Sequence, residues 1–121
     1  MKALTQQKIF NKVAKHLLTQ KKKAYQDGGC VMKTKSGLMC AVGCLIPDSM
    51  RTDNNVSMHG QSDKWKKYVG FSQNQWLLGE LQHVHDSYKP SQWFKKLSTV
   101  AKGLRLRTTE LKKFKKYCTL P

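Results

Sequence analysis

The chain has 121 residues, 39% of them hydrophobic, and carries 23 Lys and Arg against 7 Asp and Glu, a net charge of +16 with a pI near 10. That length matches one domain, and the apolar share is enough for a core, which argues against wholesale disorder. No run approaches the ~18 apolar residues of a membrane span, and the stretch from Met1 to Lys8 lacks the apolar segment of a secretory signal, so the expectation is a cytoplasmic protein with no membrane partner.

Between Thr5 and Lys23, Ile9, Phe10, Val13, Ala14, Leu17 and Leu18 recur at helical spacing while Lys8, Lys12 and Lys15 fall on the opposite face. The spacing predicts an amphipathic helix capped by Thr5 and stopped by Asp27, Gly28 and Gly29. Lys21, Lys22 and Lys23 would occupy its last turn, where they suit the helix dipole and a phosphate equally well. Short apolar pieces then flank Thr34, Lys35, Ser36 and Gly37, a turn-like tetrad that suits a small hairpin near residues 30–42. Cys40 to Ile46 is a continuous apolar run ended by Pro47, to be buried as a short helix or a strand, with Ala41 and Pro47 favouring the helix. Residues 48–63 have no periodicity and read as a long loop.

Ser72 and Gln75 have the spacing of a capping box, and Phe71 and Trp76 that of a hydrophobic staple, so a helix is predicted to begin at Gln73. On it Leu77, Leu78, Leu81, Val84 and Tyr88 share one side, His85 lies on the edge of that stripe, and His83 and Asp86 project away. Pro90 and Ser91 restart the chain into a second stripe of Trp93, Phe94, Leu97, Val100 and Ala101, ended by Lys102 and Gly103. Residues 104–121 read as a basic C-terminal helix or tail, the helix following Thr108 or Thr109, with Leu111, Phe114 and Cys118 inward. The fold class is therefore mainly α: one domain over residues 1–121, a bundle of three to five helices, with α+β the alternative if the short β-hairpin forms.

The kind of charge narrows the partner. Only Arg51, Arg105 and Arg107 are arginines, and lysine is a flexible point charge that holds phosphate more readily than it reads a base edge. From Lys89 onwards ten basic residues face the single acid Glu110, the densest basic region. The principal phosphate surface is placed on Lys95, Lys96, Arg105, Arg107, Lys112, Lys113, Lys115 and Lys116, supported by Lys12, Lys15, Lys21, Lys22 and Lys23. Lys64, Trp65, Lys66 and Lys67, followed by Tyr68, interleave cations with rings and suit phosphate contact with base stacking. Trp76 reads as a staple or an exposed stacking ring, Trp93 as core, and His16 and His85 as core-edge residues. The competing readings of the charge are solubility and an acidic protein partner.

Two chemical constellations compete with this reading. Cys30, Cys40 and Cys44 with His59, His83 or His85 could be drawn as a zinc site, but no paired C-x-x-C exists and buried structural cysteine is the commoner fate. Cys40 at the start of an apolar helix, with His85 as base and Asp86 as its partner, could be drawn as a hydrolase, but neighbours on a helix point about 100° apart, which makes Asp86 a poor orienter. No phosphate-cradling glycine loop, paired acid motif or serine elbow is present. The expectation is a non-enzymatic protein with no metal and no cofactor.

The stretch Gly37-Leu38-Met39-Cys40-Ala41-Val42-Gly43-Cys44-Leu45-Ile46-Pro47-Asp48, followed by Leu81-Gln82, His85-Asp86 and Gln92-Trp93, resembles a group of small bacteriophage and bacterial proteins of unknown function. The resemblance covers roughly residues 8 to 100 and implies a phage origin with expression in a bacterial host. It brings no catalytic or binding residue with it, and the lysine excess and the tail from Arg105 depart from the group's pattern. The leading expectation is a protein that binds DNA or RNA mainly through phosphates. The rival is a host-takeover or counter-defence inhibitor that docks on a bacterial protein or ribonucleoprotein, with residues 48–63 as a contact element.

Overall fold

Thr5 starts the first helix, α1 (Gln6–Gln20), because its side-chain oxygen accepts the Lys8 N–H at 3.2 Å, a cap that contributes about 1 kcal/mol. The computed structural model describes residues 5–26, 29–30, 33–47 and 67–114. All six apolar residues of the α1 stripe are buried, and Lys8, Lys12 and Lys15 are exposed. The helix ends earlier than its pattern implies: Lys21 turns left-handed at φ 57°, and its N–H reaches the Leu17 carbonyl at 2.8 Å. The stop therefore precedes the lysine run, and Lys21, Lys22 and Lys23 lie beyond the last turn rather than in it.

Beyond α1, strands β1 (Tyr25–Gln26) and β2 (Gly29–Cys30) pair antiparallel, Tyr25 opposite Cys30 and Gln26 opposite Gly29. A separate bridge joins Lys33 to Met39 around the Thr34–Gly37 turn, which the Gly37 N–H to Thr34 carbonyl bond closes at 3.0 Å and Gly37 permits by its φ of 98°. The hairpin expected near residues 30–42 is thus this bridge and turn. The apolar run after it forms a single 3-10 turn, Gly43–Leu45, and not a longer helix. Side chains inside the run compete for its backbone: Cys40 Sγ accepts the Gly43 N–H at 3.2 Å, and the Cys44 thiol donates to the Ala41 carbonyl at 3.1 Å.

Helix α2 (Phe71–Ser87) follows a helical turn at 67–69 and begins two residues before Gln73. Its cap is Gly70, at φ 65°, with no side-chain cap bond, while Asn74, almost fully buried, donates its Nδ2 to the Val69 carbonyl at 2.8 Å. The Ser72 and Gln75 capping box does not form, because both residues already lie inside the first turns. Trp76 is 69% exposed, so it does not act as a staple residue. A 3-10 turn at Pro90–Gln92 leads into α3 (Trp93–Gly103), and Thr109–Lys112 forms the short α4. The stop after α3 is not made at Gly103: Arg105 takes the left-handed position at φ 56°, its N–H bonds the Lys102 carbonyl, and the Leu106 N–H bonds the Ala101 carbonyl at 2.8 Å. That pair of bonds is a Schellman motif with arginine where glycine is usual.

The described helices form one small bundle. Helix α1 packs against α2, α3, α4 and the 43–45 turn, and α3 packs against both α2 and α4. Phe10, Leu17, Leu45, Leu77, Leu81, Trp93 and Leu97 fill the centre, and Leu111 anchors α4 to it. Gln7 pins the α3–α4 connection to the start of α1, since its amide accepts the Arg107 N–H at 2.8 Å and donates to the Arg107 carbonyl at 3.0 Å. No helix among the described residues is long and apolar enough to cross a membrane.

Candidate functional site

The turn at 34–39 is held onto the last turns of α1 by Met39. Its carbonyl accepts from His16 Nε2 at 2.8 Å and from Gln20 Nε2 at 2.9 Å, and its N–H donates to Gln20 Oε1 at 2.8 Å. Between these two elements lies an open cavity of about 610 Å³, lined by Lys12, Lys15, His16, Thr19, Gln20, Gly37, Met39 and Cys44. A second cavity, of about 260 Å³, is lined by Leu18, Thr19, Lys21 and Phe114. Thr19 belongs to both, so the two cavities adjoin, with exposed Lys12 and Lys15 lining the first and exposed Lys21 the second.

Of the other expected contacts, Lys22, Lys67, Lys95, Arg105, Arg107, Lys112 and Lys113 are exposed. Lys113 is partly neutralised by Glu110 at 3.0 Å. Lys96 lies over the Tyr88 ring, its Nζ 4.4 Å from the centroid, and Lys23 donates to the Asp86 carbonyl at 3.0 Å, which satisfies the C-terminal end of α2. Both are turned towards the protein. Tyr68 is half-buried and packs on the core, which removes it from the ring and cation interleaving. Lys64, Trp65, Lys66, Lys115, Lys116 and the 48–63 stretch lie outside the described residues.

His85 and Asp86 of the hydrolase constellation do meet, with Gln82 and the Cys40–Val42 segment beside them, but as a hydrogen-bonded knot around a buried ring. His85 is fully buried, stacks on Trp93 with centroids 5.6 Å apart, and accepts the Ala24 N–H on Nε2 at 2.9 Å. A lone pair on Nε2 fixes the proton on Nδ1, which donates to Asp86 Oδ1 at 2.6 Å. Asp86 is therefore the orienting partner of His85, contrary to the expectation from helix angles, because side-chain rotation brings the carboxylate across the gap between the two Cβ directions. The same oxygen accepts from Gln82 Nε2 at 2.9 Å, and Gln82 Oε1 in turn accepts the Val42 N–H at 3.1 Å. Burial pushes the Cys40 thiol up from 9.0 to about 12, with the Asp86 charge adding to the rise and the Gly43 N–H opposing it. Cys40 precedes only the single 3-10 turn Gly43–Leu45 and not the apolar helix expected of it, so no helix dipole lowers its pKa, and a thiol held this way supplies no thiolate at neutral pH.

Metal ligation meets the same obstacle. Both His85 nitrogens are engaged, and His83 is exposed, hydrogen-bonded to Ser87 Oγ and set edge-on to Tyr88. Among the described residues no group of three or more His, Cys, Asp or Glu is arranged to hold a metal ion; His59 and the Cys30 side chain lie outside them.

Sequence reasoning placed Lys12 and Lys15 but missed the rest of the larger cavity's lining, including His16, Thr19 and Gln20. The available signal was a polar stripe at helical spacing, Lys12, His16, Thr19 and Gln20, on a helix whose other side is wholly apolar. No family model matches the chain, and no curated protein and no solved structure matches it.

Proposed function

We propose that this protein binds DNA or RNA without chemical reaction, holding the phosphate backbone with exposed lysines along α1 and α4. On the resemblance of the Cys40–Asp48 stretch, its setting is a phage-infected bacterial cell. The observation that carries the reading is the placement of exposed Lys12, Lys15 and Lys21 beside two cavities that share Thr19. Among the described residues the ion pair between unlike charged side chains is Lys113–Glu110, and no described carboxylate pairs with Lys12 or Lys15. A dense like-sign surface with a net charge of +16 raises the local concentration of a polyanion and releases counterions when one binds.

Fluorescence anisotropy against single- and double-stranded DNA and RNA across salt concentrations tests it. Binding should weaken linearly on a log–log plot, and the Lys12→Gln, Lys15→Gln, Lys21→Gln triple variant should flatten the duplex slope by roughly 2 to 3 units, about 0.9 per lost phosphate contact. Weak, salt-insensitive binding of all four would sink the reading. A protein recovered from host lysate after nuclease treatment at one-to-one stoichiometry would then install the inhibitor reading in its place.

A further inference from the structure

The larger cavity has a chemistry that phosphate contact alone does not require. Its cations are Lys12 and Lys15, and the two sulfur-bearing residues Met39 and Cys44 also line it. Among the described lining residues none is acidic. About 610 Å³ falls in the range of roughly 300–1,000 Å³ that holds small ligands. Polarizable sulfur surfaces favour a flat aromatic ring, whereas an isolated phosphate gains nothing from them.

We propose that this cavity seats one unstacked nucleotide of a single strand, with its phosphate on Lys12 and Lys15 and its base against Met39 and Cys44. The assignment rests on the nucleic-acid reading above and says which form of nucleic acid the site prefers. A base in a duplex stays stacked and paired, so it enters a pocket only after extrusion, while a single strand presents its bases at no such cost. The walls are already set: three hydrogen bonds from His16 and Gln20 fix the Met39 backbone against α1, so little ordering accompanies binding. The cavity is open at Gly37, where a Cβ built on the backbone would meet nothing within 4 Å.

Two measurements test the site on the full chain. In a Cys30→Ser, Cys118→Ser background, the rate of Cys44 labelling by a small thiol reagent reads occupancy directly, because Cys40 is buried. Adenosine 5′-monophosphate at about four times its Kd should slow labelling about fivefold, protection scaling as 1 + [L]/Kd, and inorganic phosphate at the same concentration should not. Equal rates in the two ligands overturn the inference. In the second, Met39→Ala removes a sulfur-bearing lining residue without changing charge, and the backbone bonds of residue 39 to His16 and Gln20 do not depend on its side chain. Single-strand affinity should fall roughly tenfold, the scale of one lost base contact, with duplex affinity and salt slope unchanged. An unchanged single-strand affinity, or an equal loss on duplex, overturns it.

The two readings fail separately. Steep salt-dependent binding without Cys44 protection removes the nucleotide seat and leaves the phosphate surface standing. Cys44 protection with no oligonucleotide binding at any salt removes the phosphate reading, and with it the strand as occupant.

Discussion

Around His85 both ring nitrogens, the Gln82 amide and Asp86 Oδ1 face partners inside the protein, whereas along the outer side of α1 Lys12 and Lys15 are exposed to solvent. The knot uses Cys, His, Asp and Gln, the residue types most associated with catalysis, and the α1 face uses lysine, the residue most often dismissed as solubilising. Position reverses those associations. A buried polar group is tolerated only when it is hydrogen-bonded, and the knot meets that demand by joining three segments: Ala24 after α1, Val42 in the apolar run and the last turns of α2. The knot is accordingly a structural joint, while Lys12 and Lys15 stand exposed beside an open cavity.

Breaking the joint should give the largest effects. Trp93→Ala removes the largest fully buried side chain and the ring beneath His85, and should destabilise by about 3–5 kcal/mol in denaturant unfolding. His85→Leu keeps the volume but leaves the Ala24 N–H without its acceptor, which should cost about 1–3 kcal/mol. Nucleic-acid salt slopes of whatever folded protein remains should be unchanged in both. If His85→Leu were as stable as the parent but lost biological activity, the joint would have to be reread as a reactive site.

How much of this the sequence carries depends on whether the signal is local. The α1 stripe is legible because six apolar residues at a period near 3.6 leave no other face to bury. Trp93, Leu97, Val100 and Ala101 are legible for the same reason. The start of α2 is not, because Ser72 and Gln75 have capping-box spacing wherever the helix begins; what decides is Gly70 in the left-handed region and Asn74 reaching back to Val69. The cavity is legible only in half, as two lysines, since its other wall comes from a turn 18 residues beyond Thr19, at Gly37. The His85–Asp86 contact was hidden because helix-angle arguments describe Cβ directions and not the reach of the carboxylate.

The knot also makes a prediction about alkaline pH. Cys40 is protonated more tightly in the folded state, with its pKa raised from 9.0 to about 12. The unfolded chain therefore releases this proton first, so the stability linked to Cys40 is intact below pH 9 and is lost as pH climbs from about 9 towards 12. The loss attributable to one such group approaches about 1.4 kcal/mol per pH unit in that window. Cys40→Ala, starting from lower stability because of the lost packing, should show a shallower decline between pH 9 and 10.5 than the parent. Parallel curves would mean that the Cys40 environment is more open than the packing shows.

The smallest effect separates folding from binding within single residues. Lys21 and Arg105 each end a helix in the left-handed region, at φ 57° and 56°, where a Cβ costs about 1 kcal/mol that glycine avoids. Arg105→Gly and Lys21→Gly should therefore each raise stability by a few tenths to about 1 kcal/mol, partly offset by the greater freedom of glycine in the unfolded chain. On the α1 face the same Lys21→Gly change should lower the duplex salt slope by about 0.9, the share of one phosphate contact. A protein that becomes more stable while binding less well has a basic residue at a site where folding alone favours glycine. If Lys21→Gly gained stability with no change in slope, Lys21 would leave the phosphate surface, and of the two adjoining cavities only the one lined by Lys12 and Lys15 would keep a phosphate contact.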